Sequence, residues 1–386
     1  MNPTRSTSPL RSPYTAKNPV HWWALRIADL LLSAFIRRTP RAPVAPPRHV
    51  LLASGGHLGD AVVLTASIRR VRELLPDAEI GVLVPSWSRA VVAGHPDIQW
   101  VHTIDHWRRN RASRTVVAKW RDYRSSLRAA LREIRDVHYD AALDLYVYSP
   151  NMAVPLWRAG IPVRAGFVTG GLSPLYTHRL GWGRMGRHMM ERHAELLAFV
   201  LGASATTTAM RYDLPTTPHA ALRAAELVRA GNGRYAVVHM GSGRTEPTWP
   251  IEDWRALVAA LDGACGTLVF TGRGEAELYA IQEVVQGFHD CVNLCDALEW
   301  AVFVELIRGA TCVVTVDTAA AHVAAAVDTP SVVVWPDIVD DVSWHPHGRH
   351  VRLVSHRAGV AEVATATLDL ANGPPVGART VIAQGS

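Results

Sequence analysis

Apolar and polar positions along the chain fall into two kinds of block. Short runs rich in Val, Ile and Leu, bounded by turn residues, have the look of strands buried on both faces of a parallel sheet. Between them lie longer stretches with apolar positions three and four apart, the period of an amphipathic helix. The first kind predicts strands at 48–54, 79–84, 100–104, 141–145 and 163–167. After a polar, turn-rich break at about 203–217, strands are predicted near 235–240, 267–271, 291–294, 312–316 and 331–335. Two successive strand–helix series imply an α/β protein of two Rossmann-like domains facing each other across a cleft. The expected bounds are 48–212 and 213–357, followed by a C-terminal helix and mobile tail over 358–386.

The segment before the first strand has its own pattern. In "HWWALRIADLLLSAFIRR", Arg26, Asp29, Ser33 and Arg37 share one helical stripe, with Trp22, Trp23, Leu30, Leu31, Phe35 and Ile36 elsewhere around the wheel. The run is too short and too charged to span a bilayer, and no small-residue cleavage site follows it. It predicts an amphipathic helix in a membrane interface; the competing expectation is a helix packed on the protein's own surface. "PRAPVAPP", residues 40–47, reads as a stiff linker.

Charge sharpens this picture. The formal net charge is +6 over 386 residues. Residues 1–48 carry eight Lys/Arg and one Asp, and residues 105–136 carry ten Lys/Arg and four Asp/Glu, so the positive charge is two local patches. The second patch has few interleaved aromatics and no known nucleic-acid module, which argues against nucleic acid as a partner. Four scattered cysteines suit thiols in a reducing cytoplasm, not a disulfide framework.

Candidate chemistry sits where strands end. "LLASGGHLGDAVVL" runs from a strand through a glycine-rich turn, with Gly56 and His57, to Asp60 at a helix start. A carboxylate there is a candidate proton acceptor or a simple helix cap. In the second half, "VVHMGSGRTEPTWP" ends a strand on Ser242 and Gly243, with Arg244 as a fixed positive charge. "LVFTGRGEAEL" places Gly272 and Glu275 just past a strand. "CVVTVDTAAAHVAAA" puts Asp317, Thr318, Ala319, Ala320 and His322 at the start of a small-residue helix, whose free N–H groups suit a phosphate.

Taken in order, these stretches resemble glycosyltransferase family 9, the heptosyltransferases of the lipopolysaccharide core. The matching pieces are Gly59-Asp60, Ser242-Gly243 with Trp249-Pro250, Gly272 to Glu275, and Asp317 to His322. The chain departs from the family pattern at Pro247, where a lysine is usual, and at Ala319, where a glycine is usual. Ser54 and the Pro336-Asp337-Ile338 run depart as well.

The resemblance implies a GT-B fold and an inverting, metal-independent transfer of a sugar, with heptose from ADP-heptose the leading expectation. Asp60 would be the general base. Ser242, Gly243, Arg244, Gly272, Glu275, Asp317, Thr318, Ala319, Ala320 and His322 would hold the nucleotide-sugar, which is a substrate, and no cofactor is expected. Gly56, His57, Arg108, Arg109 and Arg111 would face an anionic, lipid-linked glycan acceptor, as arginines suit carboxylates and phosphates. The expected location is the cytoplasmic face of a bacterial inner membrane, held by the N-terminal helix. The alternatives are another nucleotide-sugar enzyme of the same fold, such as an epimerase, or a non-catalytic relative serving as an assembly or binding subunit.

Overall fold

The structure is a computed structural model that describes residues 18–36, 46–181, 187–202, 210–228, 233–241, 249–336 and 342–372. The chain divides into two compact units, Met1–Met210 and Arg211–Ser386.

The first unit begins with α1 (Pro19–Phe35), then β1 (His49–Ala53), α2 (Leu58–Leu74), β2 (Glu79–Val84), α3 (Arg89–Val92) and β3 (Ile98–Thr103). It continues through α4 (Val116–Val137), β4 (Ala141–Asp144), α5 (Ala153–Ala159), β5 (Val163–Phe167), β6 (His178–Leu180) and α6 (Met189–Leu201). The second unit holds α7 (Pro218–Leu227), β7 (Tyr235–His239), α8 (Ile251–Leu261), β8 (Thr267–Thr271), α9 (Glu275–Val285) and β9 (Cys291–Asn293). After these come α10 (Trp300–Gly309), β10 (Cys312–Val316), α11 (Ala319–Ala326), β11 (Ser331–Trp335), β12 (Val351–Ser355) and α12 (Val360–Ala371).

Each unit is built on a six-stranded sheet, and all the pairings are parallel. The strand orders are β3-β2-β1-β4-β5-β6 and β9-β8-β7-β10-β11-β12, the same doubly wound topology twice. Every predicted strand is present. β6 and β12 were not predicted. β6 is a three-residue edge strand, His-Arg-Leu, too short and polar for an apolar run, and β12 interrupts its apolar positions with Arg352.

Central strands are buried from end to end, as β10 and β11 show. In the second unit Trp249 is core: it meets Trp254 edge-on at 5.0 Å and joins the cluster under β7, β8 and β10. α12 belongs to the same core through Val363 and Ala366.

The N-terminal helix packs one side on the first unit and leaves the other exposed. Leu25, Leu32 and Ile36 face the first unit, where Leu32 and Ile36 pack on Ala153, Leu175 and Tyr176. Asp29, on the same inward stripe, accepts a hydrogen bond from Ser173 Oγ at 3.2 Å. Gly171, at φ +76°, makes room for the helix: a Cβ there would stand 2.6 Å from Leu25. Trp23, Ile27, Leu30 and Leu31 are left exposed on the other side. Arg37 lies outside the described residues.

Candidate functional site

In a doubly wound sheet the chain leaves the first and fourth strands in opposite directions, which opens a crevice at their carboxyl ends. Here those places are β1/β4 and β7/β10, and the singled-out residues cluster at both.

At β1/β4 the turn Gly55-Gly56-His57 leads into α2. Asp60, in the first turn of α2, folds back so that its Oδ2 accepts the His57 N–H at 2.7 Å. This closure requires glycine at position 56, because a Cβ there would lie 2.2 Å from Asp60 Cγ. Trp87 shields the turn by donating Nε1–H to the Gly56 carbonyl at 3.1 Å and stacking on His57 with ring centroids 5.8 Å apart. Burial pushes the Asp60 carboxyl up to about 6. The His57 N–H and the positive charges of Arg109 and Arg111 oppose that rise. Burial and the same two arginines hold His57 down at about 4, so it is neutral at pH 7.

The arginines come from the loop between β3 and α4. Arg109 donates Nη2–H to the Ser149 carbonyl at 2.9 Å, and its guanidinium lies over the Tyr146 ring, 4.9 Å from the centroid. Its Nε is buried without a partner among the described residues. Arg108 and Arg111 are exposed. The structure therefore brings together Gly56, His57, Asp60, Arg109 and Arg111, with Arg108 beside Trp107 at the rim.

A second carboxylate at this crevice gave no signal in the sequence. Asp144 ends β4 fully buried and accepts from Tyr146 N at 3.1 Å, Met152 N at 2.6 Å and Tyr176 OH at 2.6 Å. Burial raises its pKa to about 6, with those three donors pulling the other way. It ties β4 to the loop that carries Tyr146 and Ser149, and so supports the seat of Arg109. His193 acts from the other side. Its Nε2–H must donate to the Leu145 carbonyl at 3.0 Å, which leaves Nδ1 to accept from Ser67 Oγ at 3.1 Å.

At β7/β10, β10 ends on Val316, and Asp317 precedes α11, whose N-cap is Thr318. The Thr318 side chain makes no capping bond, so it does not occupy the amides of the first turn of α11. Ala320 through Ala325 are buried, and the small side chains let α11 lie tight on the sheet. His322, on this helix, is buried as well. Asp317, Thr318 and Ala319 retain partial exposure at the strand end. Ser242, Gly243 and Arg244 lie outside the described residues.

Two carboxylates stand at the start of α9, the expected Glu275 and, half a turn on, Glu277. Glu275 opens α9 and is exposed, and its Oε1 accepts from the Tyr279 hydroxyl at 3.4 Å. Glu277 is the side chain that reaches the strand ends. Its Oε2 accepts the Arg273 N–H at 2.9 Å. A Cβ on Gly241 would be 2.0 Å from its Oε1, and one on Gly272 would be 2.8 Å from its Oε2. Burial raises the Glu277 pKa, the Arg273 N–H opposes the rise, and Asp296 adds to it. The signal that could have found it is the pair of glycines at the ends of two adjacent strands, which leave space for one carboxylate.

Two doubly wound parallel-sheet units, each with its polar groups at the switch point, define a protein of the GT-B class. Residues 127–365, more than half of the chain, match the description "Glycosyltransferase family 9 (heptosyltransferase)". The chain belongs to this family and is a glycosyltransferase. It is 24% identical over 305 residues to lipopolysaccharide heptosyltransferase 1 of Escherichia coli K12, covering 74% of this chain and 87% of that one. A family 9 glycosyl transferase structure from Veillonella parvula superposes with a TM-score of 0.72 at 15% identity, covering 86% of this chain and 99% of that one. The structure of E. coli ADP-heptose lipopolysaccharide heptosyltransferase II gives 0.68 at 19% identity, covering 84% and 98%. The family match begins within α4 and does not include the Gly56–Asp60 turn.

Proposed function

We propose that the protein transfers a heptose from ADP-heptose to an anionic, lipid-linked glycan of the lipopolysaccharide-core type, by direct displacement with inversion and without a metal ion. The observation that carries this reading is Asp60, a desolvated carboxylate at the first switch point with two arginines beside it. An acceptor hydroxyl is a poor nucleophile until a base takes its proton, and Asp60 is placed to be that base. Arg109, with Arg108 and Arg111, suits the carboxylates and phosphates of such an acceptor, and Gly56 and His57 shape the turn that presents Asp60 to it.

On the second unit, the first turn of α11, with Thr318, Ala319 and Ala320, and the cation of Arg244 near Ser242 and Gly243 are assigned to the diphosphate. Glu277, beside Gly272, takes the ribose hydroxyls in place of Glu275, and Asp317 and His322 lie towards the sugar. The donor assignment is supported by the relatives, one of which is an ADP-heptose lipopolysaccharide heptosyltransferase. Among the described residues no helix is long and apolar enough to cross a membrane. Attachment through α1 at the cytoplasmic surface of an inner membrane is accordingly assigned to its exposed apolar side.

Calorimetric titration with a panel of nucleotide-sugars tests the donor. ADP-heptose is expected to bind tightest, and a clear preference for a uridine or guanosine donor would overturn the assignment.

A further inference from the structure

Among the described residues, the large apolar side chains left exposed on the first unit lie, with the exception of Phe199, on α1, α4 and α5. The three helices are neighbours. α5 packs against α4 through Leu156 and against α1 through Ala153 and Val154. A mobile apolar fringe would scatter over loops, whereas these residues stand on helices fixed by buried faces.

α1 shows its more apolar side to the outside. Trp23 is 58% exposed, Leu30 63% and Phe35 82%, while the charged Asp29 faces the protein. The first turns of α4 leave Val117 71% and Trp120 45% exposed, and α5 adds Trp157 at 48%. The three tryptophans are spread across the three helices, and tryptophan favours the headgroup level of a bilayer.

The charge on α4 selects the occupant. Arg121, Arg124, Arg128 and Arg132 are exposed at i, i+3, i+7 and i+11, a single stripe along the helix. Among the described residues none of the four has a carboxylate within 4.0 Å; of the three acids of α4, Asp122 pairs with Arg114, Glu133 with His102, and the exposed Asp136 lies one turn beyond Arg132 without an ion pair to it. Arg124 lies over the Trp120 ring, 4.7 Å from its centroid. An apolar face of helices edged by uncompensated arginines matches an anionic lipid surface, in which the apolar groups enter the interface and the guanidinium groups meet phosphates.

We infer that α1, α4 and α5 together form one docking face for an anionic bilayer, with α4 supplying the electrostatic half. This deepens the proposed function, since it rests on a lipid-linked acceptor and gives that acceptor a direction of approach. The loop holding Arg108 to Arg111 leads directly into α4, and Lys119 of α4 donates to the Asn110 carbonyl at 2.9 Å. On the far side His21 of α1 is 3.3 Å from Ser149 Oγ, in the residue whose carbonyl holds Arg109. Docking therefore sets the arginine loop and Asp60 beside the headgroup layer.

The test is flotation of the full chain with phosphatidylcholine vesicles and with vesicles containing phosphatidylglycerol, with no donor or acceptor present. The expected result is binding to the anionic vesicles that weakens with salt. Replacing the four arginines of the stripe by glutamine should lower it at least ~10-fold. Trp120→Ser, or Leu31→Ser on α1, should lower it several-fold at any salt concentration. Unchanged ADP affinity shows that each variant is folded. Equal binding to neutral and anionic vesicles, or full binding by the four-arginine variant, overturns the inference. So does a concentration-dependent dimer that the same substitutions abolish, because the face would then be a contact between copies of the chain. Because no sugar transfer is measured, failure here leaves the glycosyltransferase reading standing, and failure of transfer leaves this result standing.

Discussion

Replacing Asp60 by Asn separates the two things its carboxylate does. Folding takes the carboxylate out of water and raises its pKa from 3.8 to about 6. Two pKa units correspond to about 3 kcal/mol of differential stability. The sign follows from the direction of the shift. A carboxyl whose folded pKa is raised contributes stability below the unfolded value, and that contribution is lost as pH rises through about 6. The wild-type chain should therefore lose up to about 3 kcal/mol at this position between pH 4 and pH 7, and Asp60→Asn should not. At pH 7 the variant should be at least as stable as wild type, with the difference closing near pH 4. Catalysis should move the other way, because the amide cannot accept a proton: turnover should fall ~100-fold or more. The wild-type kcat/KM should itself decline as pH drops through about 6, where the base becomes protonated. Urea unfolding at pH 4 and pH 7, with kcat/KM measured from pH 5 to 8, checks each part. A variant less stable than wild type at pH 7 would refute the desolvation argument, and one with near wild-type turnover would remove Asp60 from the chemistry.

Gly56→Ala should reproduce most of the Asp60→Asn loss of turnover, since its Cβ would displace the carboxylate, and steady-state kinetics reads this directly. Glu277→Gln should weaken nucleotide-sugar binding by roughly 1–3 kcal/mol in calorimetry, while Glu275→Gln should change it little. Asp144→Ala leaves three buried donors without their acceptor and should cost several kcal/mol of stability, roughly 1–3 for each donor, seen as a large fall in Tm. EDTA should leave transfer intact; loss of activity that Mg²⁺ restores would contradict a charge balance carried by arginine and helix amides.

The parallel sheets were legible because buried central strands must be apolar on both faces, so runs such as Val313–Val316 and Val332–Val334 identify themselves. Edge strands are freer of that demand: β3 and β9 keep enough apolar residues to be read, but β6 is only His-Arg-Leu and β12 is interrupted by Arg352, so neither shows as an apolar run. Asp60 was legible from the glycine turn before it. Asp144 was not, because a carboxylate at a strand end looks the same whether it faces solvent or three buried donors. Glu275 and Glu277 are two residues apart, and only the helix start after Gly274 decides which of them points back to the strand ends. For α1, a helix apolar nearly all round does not announce which side docks. Asp29 shares a stripe with Arg26 and Ser33, and only its bond from Ser173 shows that it faces inward.

The account is tested most directly by incubating the protein with ADP-heptose and a heptose-deficient lipopolysaccharide core, and measuring both the mass of the glycan and the anomeric configuration of the new bond. Addition of a single heptose, with release of ADP and inversion at the anomeric carbon, is the predicted result. Retention of configuration, or hydrolysis of the donor with no gain in glycan mass, would contradict it.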